Sequence, residues 1–294
     1  MEGKVVKGNR ITEGSIFGQL LLFFFPILFG TFFQQLYNTA DAMVVGRFVG
    51  KQALAAVGGS TSTLINLLVG FFVGLSSGAT VVISQFYGAR KADKVHWAVH
   101  TSIAFSVIGG IIFMIVGLVG SPWALEAMKT PEDVMGHAVV YIRIYFLGII
   151  VNLVYNMGAG ILRAVGDSRR PLYFLIASCF TNIILDVLLV AVLGMGVAGA
   201  ALATITGQIV SALLAVYYLF RPKSFRLKRV SFKPDAEILK HVLPLGISSF
   251  LTQVSIVVIM AVMNNVLVIY GAGSKYGADI PMTVVGIVMK VFQI

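Results

Sequence analysis

The sequence predicts an all-α polytopic membrane protein, on three observations. Apolar runs of about 20 residues, the length a helix needs to cross a bilayer, recur from one end of the chain to the other. Charged residues make up only 12% of the sequence and hydrophobic ones 58%, against a charged fraction of about 25% in soluble domains. The runs are continuous rather than alternating, which excludes a β-barrel. Mean hydropathy is +0.93.

The runs divide the chain into seven complete spans and the start of an eighth, at roughly 15–46, 53–85, 95–120, 133–162, 170–193, 197–220, 237–270 and 279 onward. The polar, basic first fifteen residues carry no cleavage signal, so the first span reads as an anchor rather than a removed leader. Sidedness follows from Lys and Arg. The amino terminus (Lys4, Lys7, Arg10), the second connection (Arg90, Lys91, Lys94), the fourth (Arg163, Arg169, Arg170) and the sixth (Arg221, Lys223, Arg226, Lys228, Arg229, Lys233) hold fifteen. The opposite side holds four: Arg47, Lys51, Lys129 and Lys275. That bias places the amino terminus in the cytoplasm. It also explains the net charge of +10 without a nucleic-acid partner. The single cysteine, Cys179, excludes an internal disulfide and a cysteine-rich metal centre; it reads as a small packing residue.

The sixth connection divides two regions: a six-helix lobe with its linker, 1–228, and the beginning of a second lobe, 229–294. The second starts like the first. Leu20 to Gln35 reads LLLFFFPILFGTFFQQ, and Ile238 to Gln253 reads ILKHVLPLGISSFLTQ, with Pro26 aligned to Pro244 and Gln35 to Gln253. Val57-Gly58 resembles Val285-Gly286 further on. An even number of spans returns the chain to the same side, so this is a parallel repeat, a common transporter plan. The second copy is short, and the sequence is expected to be the amino-terminal portion of a protein of about twelve spans.

Asp41 and Asp186 are the only acidic residues inside long apolar stretches. Charged groups cost a few kcal/mol at a bilayer centre and mark ion or substrate pathways. In the first span Gln34, Tyr37, Asn38 and Asp41 recur at i, i+3, i+4 and i+7, on one helical face. Asn182 and Asp186 share a face of the fifth span. Counted at 1.5 Å per residue, Asp41, Asn182, Asp186 and Thr204 reach a common depth in the outer half of the lobe. Asn152, Tyr155 and Asn156 of the fourth span lie at or below it. Carboxylate, amide and hydroxyl oxygens suit a hard cation, and paired buried carboxylates suit a proton carrier. Interhelical hydrogen bonding accounts equally well for Asn152, Asn156 and Thr204. Pro26 removes a backbone donor and allows a static bend or a moving one.

Weaker candidates are His96 and His100 at i, i+4, which read as interfacial, and Gly70, Gly74 and Gly78, which read as close-packing steps. Arg143, near the outer end of its span, can snorkel to the interface. Lys290, about eleven residues into the eighth span, is a possible second-lobe residue. There is no phosphate-binding glycine loop, no H-E-x-x-H and no G-x-S-x-G, so the chain reads as no enzyme.

PILFGTFFQQLYNTADAMVVGRFVG at 26–50, ISQFYGARKADKV at 83–95, GILRAVGDSRRP at 160–171 and NIILDVLLVAVLGMGVAGAALATITGQ at 182–208 resemble the multidrug and toxic compound extrusion (MATE) transporters, in the DinF-like and MepA-like bacterial branch. The resemblance implies a MATE/MOP-type fold in which two six-helix lobes alternate access to a central cavity. It implies an antiporter in the bacterial cytoplasmic membrane, monomeric once complete. Cationic amphipathic compounds would leave in exchange for H+ or Na+, with no other cofactor. It places cation coupling at Asp41, Asp186, Asn182 and Thr204, which would also hold any Na+, and bending at Pro26. Ile259 stands opposite Asp41 in the repeat, which favours coupling in the first lobe. The residues leave two rivals. One is a lipid-linked oligosaccharide flippase of related fold, which would need a cationic cavity. The other is an intramembrane aspartyl protease. Mass measurement of the native product tests the expected length: a species well above 31.6 kDa is expected, and a native end at Ile294 would contradict it.

Overall fold

A computed structural model describes residues 15–58, 60–128, 130–220 and 236–272. Among these, all regular structure is helical. The helices are α1 (Ile16–Phe48), α2 (Lys51–Gly58), α3 (Ser60–Gly88), α4 (Ala92–Ala127), α5 (Glu132–Leu147), α6 (Ile149–Ala164), α7 (Arg169–Asp186), α8 (Gly196–Phe220) and α9 (Ala236–Ala272). A π-helical turn, Val187–Val192, continues α7. Five of the described helices are long and apolar enough to cross a membrane, and α5 with α6 makes a sixth if the bent pair is one span.

The first six expected spans therefore have helices in their places, with two changes of detail. The second span is not one helix from 53: the short α2 precedes the long α3. The fourth is bent by 51° between α5 and α6. Gly148 makes that break. Its amide bonds to the Tyr145 carbonyl at 3.0 Å, three residues back, which ends the α-helical ladder. A Cβ on Gly148 would stand 2.5 Å from the Ile205 side chain of α8, so the bend and the glycine belong to one close helix crossing. Broken helices in transporters occur where backbone is buried in protein or lines a cavity. The seventh span is α9, 37 residues long with Pro244 inside it, as Pro26 lies inside α1. The eighth span and Lys290 fall outside the described residues.

Three apolar clusters hold the lobe together. One gathers Ala79, Ile83, Val99, Leu162, Phe174, Ala215 and Leu219, and takes in Ile238 and Val242 of α9. A second centres on Phe72, Leu75, Leu125, Ile142, Phe146 and Leu153. The third, nearest the α7–α8 turn, contains Val45, Ala53, Tyr141, Val190, Val197, Ala200 and Ala201. The exterior is apolar too: Phe17, Phe29, Val119, Ile184 and Leu213 are exposed, as a bilayer solvent allows. The cytoplasm-assigned turn between α6 and α7 is closed by Arg170, which pairs with Asp167 and lies 3.9 Å over the Tyr218 ring of α8.

The glycine steps of α3 serve the packing expected of them. A Cβ on Gly78 would meet the Val242 carbonyl oxygen at 2.6 Å, and one on Gly74 the Gly246 carbonyl oxygen at 2.8 Å. Gly246 is equally close to Leu75. Antiparallel α3 and α9 thus touch backbone to backbone, the arrangement small residues permit within membranes. Gly78→Val should cost about 1–3 kcal/mol through overpacking and lower the melting temperature in detergent. Gly88→Ala, with open space around it, should leave melting unchanged. Equal shifts in the two variants would contradict this packing.

Candidate functional site

Asp41 and Asp186 come from opposite ends of the lobe's sequence to one interior region. Asp41 lies one turn before Val45 on α1, on the face that α7 and the π-turn cover; Asp186 is the last residue of α7. Asp41 is 6% exposed and Asp186 0%. The two carboxylates are within electrostatic reach of each other. One oxygen of Asp41 and both of Asp186 have no hydrogen-bond partner among the described residues. Leaving a buried charge uncompensated costs several kcal/mol.

Amide and hydroxyl groups flank the pair. Asn182, one turn before Asp186, donates from Nδ2 to Thr204 Oγ1 of α8 at 3.5 Å. Its Oδ1 is buried and without a partner. Asn182 and Thr204 are 2% and 7% exposed. Thus the four residues expected at a common depth are assembled from α1, α7 and α8. Their free groups are all oxygens, a donor set that fits a proton or a hard cation. No group of three or more His, Cys, Asp or Glu side chains suited to a metal occurs among the described residues, so a softer transition-metal site has no support there.

Tyrosines line the same region, and composition gave no cue to two of them. Tyr141 of α5 is buried and within electrostatic reach of Asp41, Asp186, Tyr37 and Tyr145. Tyr145, one turn on, hydrogen-bonds Gln208 of α8. Tyr141, Tyr145 and Gln208 were missed because a tyrosine in an apolar run reads as a packing residue. The i, i+4 spacing of Tyr141 and Tyr145 was the available signal. It acquires meaning only once α5 is placed against α8.

The other expected residues divide. Tyr37 is half-buried, hydrogen-bonds Gln34 and lies within reach of Asp41, Tyr145 and Tyr155. Gln34 and Asn38 are exposed on α1, toward the side left open by the described helices. Asn152, Tyr155 and Asn156 have internal partners. Asn156 Nδ2 donates to the Asn152 side-chain oxygen and backbone carbonyl, both at 2.9 Å. Ser76 Oγ donates to the Asn156 carbonyl at 2.9 Å. Tyr155 Oη donates to the Pro171 carbonyl at 3.3 Å. Pro26 is inside the continuous α1. The His96 and His100 rings meet edge-on at 4.4 Å, and Arg143 is exposed on a face it shares with Val140 and Leu147.

A helical lobe of membrane-length spans around buried carboxylates defines a polytopic helical membrane protein. Residues 26–188 match the MatE family model, and the chain belongs to that family, the multidrug and toxic compound extrusion proteins. It is 31% identical to the probable multidrug resistance protein YoeA of Bacillus subtilis, over 97% of this chain and 65% of that protein. A solved multidrug resistance MATE transporter of the MOP superfamily, in an outward-facing conformation, superposes with a TM-score of 0.89 at 29% identity, over 99% of this chain and 64% of that one. A MOP-superfamily transporter from Pyrococcus furiosus, described as having a binding pocket of reversed polarity that suggests a different function, gives 0.90 at 29% identity, over 99% and 64%. The chain spans less than two thirds of the length of each of these relatives.

The orphaned carboxylate predicts a stability signature. In sodium-free, alkaline detergent solution Asp186→Asn should melt several degrees above the parent, because it removes a buried unpaired charge. Adding acid or Na+ should narrow the gap, by neutralising the parent. A variant that melts lower under all these conditions would contradict an unpaired Asp186.

Proposed function

We propose that the protein is a secondary antiporter that exports cationic amphipathic compounds in exchange for an inward flow of H+ or Na+. The observation that carries the reading is the pair of buried carboxylates with three unpartnered oxygens. Such a pair is stable only when a cation shares it. Asp41, Asp186, Asn182 and Thr204 would hold that cation, and it supplies neutralising charge. Once neutralised, α1, α7 and α8 lose the penalty that opposes their close packing. When the cation leaves, the lobe again presents negative charge to a cationic drug. Coupling is then competition for one negative region between a small cation and a large one.

Gln34, Tyr37 and Asn38 extend the region along α1. Tyr37 offers an aromatic face to a drug cation, while Gln34 and Asn38 offer hydrogen bonds at the open side. Asn152, Tyr155 and Asn156 brace the floor through their internal bonds rather than by direct contact. Pro26, with its missing donor, is where α1 would bend as the lobe changes state. Alternating access would set this lobe against a second one, of which α9 is the first helix. The family's bacterial members suggest the cytoplasmic membrane, and the distribution of Lys and Arg supports an amino terminus inside.

The flippase reading is less favoured because the charged groups in the lobe interior are acids, which repel an anionic headgroup. The protease reading lacks a hydrogen-bonded dyad with a path for a peptide. In cells, ethidium should accumulate when an uncoupler or sodium ionophore is added. Asp41→Asn and Asp186→Asn should each reduce gradient-driven efflux at least tenfold, with normal membrane levels on immunoblots. Undiminished efflux in both variants would defeat the proposal.

A further inference from the structure

The feature that the coupling scheme leaves unused is the π-helical turn immediately after Asp186. π-Turns are rare and carry a cost in backbone geometry, and they collect at functional sites. Here the Leu193 amide reaches five residues back to the Leu188 carbonyl at 2.9 Å, and the Met195 amide bonds the Leu189 carbonyl at 2.9 Å. The chain then leaves through Gly194 and Gly196, both at positive φ, which only glycine adopts freely.

Two close approaches fix α7 and its π-turn to α8. On the α7 side, a Cβ on Gly207 would stand 3.0 Å from the Ser178 carbonyl oxygen and 3.2 Å from the Asn182 Cβ. On the π-turn side, a Cβ on Gly199 would stand 3.1 Å from the carbonyl carbon and oxygen of Leu189, and 3.0 Å from the Met195 Cβ. Gly199 and Gly207 lie eight residues apart on α8, and Thr204 lies between them. The segment they bracket on the other side is Asn182 to Leu189, with Asp186 inside it. Val190 of the turn is buried with Val45, Tyr141 and Val197. The fully buried carboxylate of Asp186, both oxygens without a partner, therefore hangs from backbone clamped above and below.

We propose that the π-turn Val187–Val192, seated on Gly199, is the element that positions the Asp186 carboxylate, and that Gly199 is a positioning residue for the cation site. This rests on the antiport reading above. Cation sites depend on the placement of their oxygens to a fraction of an ångström, and disturbing the shell behind a ligand costs about 10–100-fold in affinity. An alanine at 199 would stand 3.0 Å from the Met195 Cβ and 3.1 Å from the Leu189 backbone, so the turn must give by a few tenths of an ångström and shift Asp186 relative to Asn182 and Thr204.

The test uses the native gene product in proteoliposomes, with ethidium as the transported probe. Gly199→Ala should raise the concentration of H+ or Na+ giving half-maximal exchange about tenfold. It should also change the rate at which dicyclohexylcarbodiimide modifies Asp186, read by peptide mass spectrometry, a measurement that needs no transport. Val190→Ala loosens the same turn by removing atoms and should shift both readouts in the same direction, which covers a failure of Gly199→Ala to fold. Gly120→Ala, with open space around it, should shift neither. Adding Met195→Gly to Gly199→Ala should not restore the parent values, because the obstruction is the Leu189 backbone. Parent values in Gly199→Ala and Val190→Ala, or full restoration by Met195→Gly, would overturn the inference while leaving ion-dependent transport by the parent, and so the antiport reading, intact. Transport by both Asp41→Asn and Asp186→Asn at the parent rate would sink the antiport reading instead.

Discussion

The rest of the lobe depends on burying two carboxylates that no basic side chain among the described residues pairs with. A hydrophobic lobe has no physical reason to tolerate Asp41 and Asp186, since an apolar pair of similar volume would pack better. Everything around them limits that cost without removing it. Asn182 and Thr204 bond to each other, and Asn182 Oδ1 has no partner among the described residues. Tyr141 and Tyr145 wall it off with side chains that are apolar in body and polar at the tip. The residual instability is what a coupling cation would relieve under the proposed antiport.

The helix packing follows from the same constraint. A site fully enclosed in a membrane lobe needs helices closer than large side chains allow, and the sequence places glycine where they cross. Gly207 brings α7 against α8 at Asn182, Gly199 admits the π-turn after Asp186, and Gly148 bends the α5–α6 pair around Ile205, next to Thr204. The α3–α9 contact through Gly74, Gly78 and Gly246 uses the same means at the edge of the lobe. There the close approach joins α3 to α9. Lipid gives helices no hydrophobic reason to associate, so van der Waals contact at these crossings supplies the adhesion.

The helical membrane fold was legible because bilayer thickness writes itself into run length, and span boundaries fell close to the helix ends. Asp41 and Asp186 were legible because charge is conspicuous against an apolar background, and helical arithmetic put Asn182 and Thr204 at their depth. The break at Gly148 was not, since its cause is Ile205, 57 residues further on and a neighbour only in the folded lobe. The π-turn was equally hidden: VLLVAV reads as unbroken helix, and only the seat at Gly199 explains the departure. Tyr141 and Gln208 were missed for a related reason, because neutral side chains declare a role only through what they face. The residues 273–294, with Lys290, lie beyond the described structure.

The most direct measurement is of ions released when a drug binds. Purified protein in weakly buffered, sodium-free detergent solution is mixed with ethidium, and protons appearing in solution are followed with a pH dye; the experiment is repeated with Na+ present and a sodium-sensitive dye. If one negative region serves both cations, ethidium binding should expel H+ or Na+, and Asp41→Asn combined with Asp186→Asn should abolish the release. Ethidium binding with no cation release in the parent protein would contradict shared use of the two carboxylates.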